Sequence, residues 1–196
     1  MFVVLRHGQS IWNLAGILAG STNVPLSSYG IKEAKFASYI LNPFHFNYVF
    51  TSDLQRTTQT YEIIRRNMYY NPILCSSKEL NERDYGSLTG IKKDDLKNIY
   101  SEKDFYKWRH TYYGRPPNGE NLDDVRKRIG HYYNCKIEPL LKQKQNVLVI
   151  SHSNSLRALF VHIGLKNEET IEHFEINNCV PISIDINNKK FWYIKE

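Results

Sequence analysis

Cysteine is scarce in this chain. Cys75, Cys135 and Cys179 are odd in number, widely spaced and without a CxxC pair. That spacing indicates neither a zinc site nor a disulfide framework, and predicts reduced thiols, mostly buried, in a cytoplasmic protein. Long apolar runs are missing as well. None approaches the roughly 20 residues of a membrane span, so no membrane partner is expected. Arg6 breaks the first apolar run and no small-residue cleavage site follows, so the start does not read as a signal peptide. No GxGxxG or Walker loop is present, which leaves nucleotide binding without support. His45, His131, His162 and His173 stand at no metal-ligand spacing and read as structural or surface residues; no metal is expected. Repeats, low-complexity tracts and Ser/Gly-rich linkers are absent, so 196 residues are read as one domain, 1–196.

Charge is not lacking. A formal net charge of +6 suits an anionic partner. Lys and Arg are spread along the chain, and the densest group, Arg126-Lys127-Arg128, reads as a solvated helix turn rather than a nucleic-acid patch. Three apolar runs each deliver Arg or His at their carboxyl ends. Phe2-Val3-Val4-Leu5 leads to Arg6-His7-Gly8, Tyr48-Val49-Phe50-Thr51-Ser52 to Arg56, and Asn146-Val147-Leu148-Val149-Ile150 to Ser151-His152 and Asn154. In open α/β sheets, ligands bind at the carboxyl ends of strands.

Helical patterns alternate with these strands. Ser27 or Ser28 caps a helix with Ile31, Ala34, Ala37 and Leu41 on one face. Leu54, Thr57, Tyr61 and Ile64 mark a second helix. A long one runs from about Leu122 to Leu141, with Val125, Ile129, Tyr132 or Tyr133, and Ile137 inward, and another covers Asn154 to Ile163. Val180–Ile186 and Phe191–Ile194 read as a terminal hairpin. The alternation predicts an α/β fold with a mostly parallel sheet covered on both faces. Residues 77–120 form a long polar excursion with Gly86, Gly90, Gly114, Pro116, Pro117 and Gly119, expected to make a helical cap over the crevice.

Two histidines and two arginines in one crevice describe a site for a phosphoryl group. Breaking a phosphate monoester puts charge on the equatorial and leaving oxygens, so the site needs cations, a nucleophile and a proton source. Arg6 and Arg56 supply bidentate donors. One histidine can attack as a neutral imidazole while the other donates as an imidazolium. Glu82, in Leu80-Asn81-Glu82-Arg83, can protonate the leaving oxygen. Asn13 can orient a phosphate or satisfy a turn. Lys93 opens a helix in Lys92-Lys93-Asp94-Asp95. Trp108-Arg109 can be an anchor with surface charge or part of a substrate wall.

The chain resembles the cofactor-dependent phosphoglycerate mutases of the histidine phosphatase superfamily, branch 1. Leu5-Arg6-His7-Gly8-Gln9-Ser10 with Trp12-Asn13 is similar to the family's RHGxSxWN. Leu26-Ser27-Ser28-Tyr29-Gly30 with Glu33-Ala34 looks like LSxxGxxEA, and Thr51-Ser52-Asp53-Leu54-Gln55-Arg56-Thr57 like TSxLxRA. Leu80 to Gly90 resembles LNERxYGxLxG. Trp108-Arg109 and Pro116-Pro117 follow, and Ser151 to Leu159 is similar to HGNSLRAL. The resemblance implies a three-layer α/β/α sandwich. It implies His7 as the nucleophile that becomes phosphohistidine. Arg6, Arg56 and His152 then form the phosphate pocket, and Glu82 is the general acid and base. It places Gln9, Ser10, Asn13, Ala19, Gly20, Ser153 and Asn154 around the substrate, with Arg83, Tyr85, Lys93, Arg109 and His110 toward its carboxylate and second phosphate.

The implied reaction is the glycolytic interconversion of 3-phosphoglycerate and 2-phosphoglycerate, primed by 2,3-bisphosphoglycerate. The alternative within the superfamily is a phosphatase acting on small phosphomonoesters. Four departures separate the chain from the pattern. Ala19 and Ser21 fall in a stretch usually Phe-Thr-Gly-Trp, His110 replaces the second arginine of WRR, and Ser153 replaces a glycine. The expected partner is a small anionic phosphorylated substrate, not nucleic acid; the sequence is compatible with a monomer and with a homo-oligomer.

Overall fold

The computed structural model describes residues 1–194, the side chain of Lys97 apart. Its strands β1 (Phe2–Arg6), β2 (Tyr48–Thr51), β3 (Ile73–Ser76) and β4 (Val147–Ser151) run parallel to one another. The hairpin β5 (Ile182–Asp185) and β6 (Lys190–Tyr193) adds to β1 in the antiparallel sense. One mixed six-stranded sheet results, in the order β3-β2-β4-β1-β5-β6.

Strand alternation divides the apolar side chains between two layers. Phe2, Val4, Phe50, Val147 and Val149 face one side, and Val3, Leu5, Val49, Leu148 and Ile150 the other. The first side is covered by α6 (Leu122–Tyr132) and α8 (Ser153–His162), the second by α2 (Ser28–Leu41) and α3 (Gln55–Arg65). This is the α/β/α arrangement expected from the strand-helix alternation. Because β1 and β4 are covered on both faces, they read as unbroken apolar runs.

Several local expectations change. Ser27 is the cap of α2; its Oγ accepts the Gly30 N–H at 3.0 Å. Ile31 does not join the buried face and is 40% exposed, whereas Gly30, Ala34, Ala37, Ser38 and Leu41 are buried. The reason is the approach of α2 to the loop after β1. A Cβ at Gly30 would overlap the Gln9 backbone, and one at Gly8 would overlap the Gly30 carbonyl, so glycine at both positions lets the two backbones touch. The long helix does not run evenly to Leu141. It passes through one turn of π-helix, Tyr133–Ile137, before α7 (Glu138–Lys142), and it is Tyr133, not Tyr132, that is buried. Of the cysteines only Cys179 is buried; Cys75 is half-buried and Cys135 exposed. β3 and the short α9 (Glu168–Glu172) add to the elements anticipated.

The excursion carries α4 (Lys93–Ile99) and α5 (Glu102–His110). Leu18, Leu88, Leu96 and Phe105 form a separate apolar cluster there, with Tyr85, Ile91, Tyr100 and Trp108 packed around it. Backbone bonds tie it to the loop after α1 (Ile11–Leu14): Leu18 N–H donates to Ile91, Gly90 N–H to Leu18 and Lys93 N–H to Gly16. No helix among the described residues is long and apolar enough to cross a membrane.

Candidate active site

A cavity of about 310 Å³ opens at the carboxyl ends of β1, β2 and β4. Arg6, His7, Asn13, Ala19, Gly20, Arg56, Glu82, Tyr85, Lys93, Arg109, His110, Ser153 and Asn154 all line it.

The position of His7 follows from the end of β1. Its N–H continues the ladder to the Ser151 carbonyl at 3.0 Å, and Asn178 Nδ2 donates to the His7 carbonyl at 2.6 Å. His7 Nδ1 lies 2.6 Å from the Gly8 carbonyl. A carbonyl only accepts, so Nδ1 carries the proton and Nε2 keeps its lone pair. Burial, then Arg56 and Arg6, holds the imidazole pKa well below the usual histidine range. The ring is therefore neutral at neutral pH, with the lone pair on Nε2.

Arg56 enters from the first turn of α3, almost wholly buried. It donates to the Thr22 carbonyl at 2.8 Å, the Gly20 carbonyl at 2.9 Å and His152 Nδ1 at 3.1 Å. Burial lowers its pKa to about 10, so it stays a cation at pH 7. Arg6 donates through Nη1 to the Ile176 carbonyl at 2.8 Å, but its buried Nε has no partner among the described residues. An unpartnered buried guanidinium N–H is costly unless an anion arrives to accept it.

Glu82 is presented by a segment held from below. Ser151 Oγ donates to the Leu80 carbonyl at 2.8 Å and Ser155 Oγ to the Asn81 carbonyl at 2.6 Å. Glu82 Oε1 accepts the Arg83 N–H at 2.8 Å.

His152 lies behind His7, ring centroids 4.9 Å apart, with no exposed surface. Both of its nitrogens are engaged, Nδ1 by Arg56 and Nε2 by Ser52 Oγ at 2.7 Å. Burial, Arg56 and His7 keep its pKa well below the usual range. The expectation of an imidazolium donating to substrate is thus revised. His152 is neutral and positions Arg56.

Three further expectations change. Arg83 does not line the cavity. It is buried, and its guanidinium donates to the carbonyls of Glu120 at 2.7 Å, Trp108 at 2.6 Å and Gly114 at 2.8 Å. Charged bonds of this kind contribute about 1.5–3 kcal/mol each, more than one substrate contact returns for breaking them. Arg83 therefore holds the cap rather than the substrate. Gln9 accepts from Ser27 Oγ at 2.9 Å, and Ser10 caps α1; both sit outside the cavity. Asn13 resolves its two readings by doing both, since Oδ1 closes the Ser10 cap at 3.1 Å while the side chain lines the cavity. Arg128 is no solvated charge either: it pairs with Glu120 at 2.8 Å and donates to the carbonyls of Glu79 and Glu82. Arg126 and Lys127 pair with Asp123.

The cavity also has walls that sequence reasoning missed: Ile17, Leu18, Arg157, Glu172, Phe174, Glu175, Ile176 and Asn177. Arg157 had a signal. It lies three residues after Asn154 on α8, hence on the same face, and donates to Asn154 Oδ1 at 3.1 Å. Glu172 ends the short α9, too brief to show a period, and the others lie in irregular chain, where no period marks a face.

The family description "histidine phosphatase superfamily (branch 1)" matches residues 2–195. This chain belongs to that superfamily. Within it, the chain is similar to the 2,3-bisphosphoglycerate-dependent phosphoglycerate mutase of Cytophaga hutchinsonii, 38% identical over 189 residues, 96% of this chain and 89% of that one. The Methanococcus vannielii protein of the same name is 34% identical over 95% of this chain and 91% of its own. Among solved structures, the alpha-ribazole phosphatase of Shigella flexneri superposes with a TM-score of 0.79 at 25% identity, covering 98% of this chain and 93% of that one. A mycobacterial glucosyl-3-phosphoglycerate phosphatase, at 21% identity and a TM-score of 0.80 over 92% and 90% of the two chains, shares the fold.

The two buried histidines of this superfamily member give folding a definite acid response. In the unfolded chain each titrates near 6.5; in the folded chain both are held well lower. Below pH 6.5 the unfolded state therefore binds more protons. The stability they contribute is fully present above that pH and is lost as pH falls, by up to about 1.4 kcal/mol per unit for each histidine. Urea midpoints are expected to drop between pH 7.5 and 5, less steeply in His152→Asn. Midpoints that stay level in the wild type would contradict the buried, neutral pair.

Proposed function

We propose that this chain is a 2,3-bisphosphoglycerate-dependent phosphoglycerate mutase acting through a phosphohistidine at His7. The observation that carries the reading is the second cationic group in the cavity. Lys93 and Arg109 line the same space as His7, Arg6, Arg56 and Glu82, and neither has an ion-pair partner among the described residues. The Lys93 pKa is lowered, first by burial and then by Arg109 and Arg6. Such mutual repulsion is relieved when an anion binds between the groups.

The lone Nε2 of His7 attacks phosphorus, the N–P bond forming as the P–O bond breaks. Glu82 gives the leaving oxygen its proton, and in the return step takes a proton from the hydroxyl that attacks phosphohistidine. Arg6 and Arg56 receive the charge on the equatorial oxygens. When bound, 2,3-bisphosphoglycerate supplies the phosphoryl group that loads His7. The unpartnered Arg6 Nε and the Lys93–Arg109 pair fit its two phosphates and carboxylate. Ser153 and Asn154, in the first turn of α8, bring that helix's N-terminal dipole to the same oxygens.

A phosphatase is the second reading, favoured by Glu172 and Glu175 on the cavity wall and by Ala19, which adds no donor. The deciding experiment measures conversion of 3- to 2-phosphoglycerate, with and without 2,3-bisphosphoglycerate, beside phosphate release from a generic monoester. Primer-dependent conversion that outpaces phosphate release supports the mutase; release without conversion supports the phosphatase.

His110 tunes this choice. It is exposed at the rim and stacked on Tyr106 at 5.0 Å. Burial, Arg109, Arg157 and His173 lower its pKa, and Glu172 opposes them. The imidazole is thus neutral at pH 7 and becomes a cation only below its ordinary range. His110→Arg supplies the charge at every pH. It is expected to lower KM for 3-phosphoglycerate about three- to tenfold at pH 7.5, the scale of one charge-assisted contact, with kcat little changed. The wild-type/variant KM ratio shrinks toward pH 6. A ratio near one at pH 7.5 would place His110 outside substrate reach.

A further inference from the structure

Behind His7, four buried side chains form one directed run of hydrogen bonds. Arg56 Nε is 3.1 Å from His152 Nδ1. A guanidinium only donates, so Nδ1 carries no proton. In the neutral ring the proton is then on Nε2, 2.7 Å from Ser52 Oγ. Ser52 Oγ also accepts the Leu54 N–H at 3.2 Å and lies 2.8 Å from Thr57 Oγ1. Thr57 Oγ1 reaches the Leu54 carbonyl at 2.9 Å and the Ser52 carbonyl at 3.1 Å. A donor-only group stands at one end and acceptor-only carbonyls at the other, so every bond between them points the same way. Ser52, Thr57 and His152 have no exposed surface, which leaves no water to satisfy a misdirected proton.

We propose that Thr57 is a positioning residue: by accepting the Ser52 hydroxyl proton it holds His152 in the Nε2–H tautomer and thereby reserves Nδ1 for Arg56. The reverse order would turn the Ser52 proton toward Nε2, put a proton on Nδ1 and set it against the Arg56 Nε–H. With Thr57 in place, that order loses two bonds at once. Without its hydroxyl, the Ser52 proton has no acceptor except the ring, so the reverse order loses only the Arg56 bond and the energy gap between the two orders narrows.

The test is the imidazole ¹⁵N spectrum of the full chain, with His152 assigned by comparison with His152→Asn. It needs no substrate, so it stands whether the enzyme is a mutase or a phosphatase. In wild type, His152 is expected as a single Nε2–H tautomer at neutral pH. Thr57→Val and Thr57→Ala are expected to shift the signals toward a tautomer mixture, and Thr57→Ser to restore them. A parallel arm reads turnover of p-nitrophenyl phosphate. There kcat falls about tenfold in Thr57→Val, the scale of one unsatisfied buried hydroxyl, KM moves less, and Thr57→Ser recovers it. A wild-type ring protonated on Nδ1 would overturn the proposal. So would a Thr57→Val protein that folds and keeps the wild-type tautomer, whatever its kcat. If wild type neither turns over the monoester nor converts 3-phosphoglycerate in the presence of 2,3-bisphosphoglycerate, the reading of the site fails and the tautomer measurement still decides the role of Thr57.

Discussion

Incubated with 2,3-bisphosphoglycerate, the wild-type chain is expected to take up an acid-labile, base-stable phosphoryl group, and His7→Ala none. Turnover in the variant falls by about four orders of magnitude or more, as for other enzymes stripped of their nucleophile. The size of the effect follows from the absence of a substitute. His152 lies behind the His7 ring, fully buried, with Nδ1 occupied by Arg56 and Nε2 by Ser52. Removing the His7 ring opens space in front of His152 without freeing either of its nitrogens. Phosphate labelling followed by acid and base treatment measures the outcome. A His7→Ala protein that still takes up the label would remove His7 from the mechanism.

The second large effect is expected at Glu82. Glu82→Gln keeps the shape of the side chain, and the amide oxygen still accepts the Arg83 N–H that Glu82 Oε1 accepts at 2.8 Å. The segment beneath it remains tied to Ser151 and Ser155. What disappears is the proton. General acid–base catalysis is worth about 10²–10⁴ in rate, and kcat falls by that range with KM nearly unchanged. Steady-state kinetics with phosphoglycerate give the answer. A large rise in KM at constant kcat would reassign Glu82 to holding the substrate.

The sequence made the sheet legible wherever its strands are covered on both faces. β1, β2 and β4 are short apolar runs with a polar cluster at their carboxyl ends, and that pattern located Arg6, His7, Arg56 and His152 together. β3 was illegible because Ile73 and Leu74 are exposed at the sheet edge and no burial period marks them. The π turn at Tyr133–Ile137 was hidden because it keeps the helical spacing of buried residues while shifting the register. Motif spacing placed Arg83 beside Glu82 but did not show that its guanidinium turns away, into the carbonyls of the cap. The same holds for His152, whose tautomer follows from neighbours far apart in the chain. Glu172 reaches the cavity from the end of the short α9, and Phe174 and Glu175 from irregular chain, so only the folded arrangement reveals them.

The central place of β1 bears on how fast the site can assemble in folding. The strand that leads into His7 pairs with residues 147–151 and 182–184, far along the chain. The Arg6 carbonyl accepts from Cys179 N–H and the His7 carbonyl from Asn178. Contacts of such sequence separation close large loops before they return stability, which slows folding and leaves an apolar strand without neighbours in partly folded chains. The surroundings of His7 are therefore completed only when distant parts of the chain have come together.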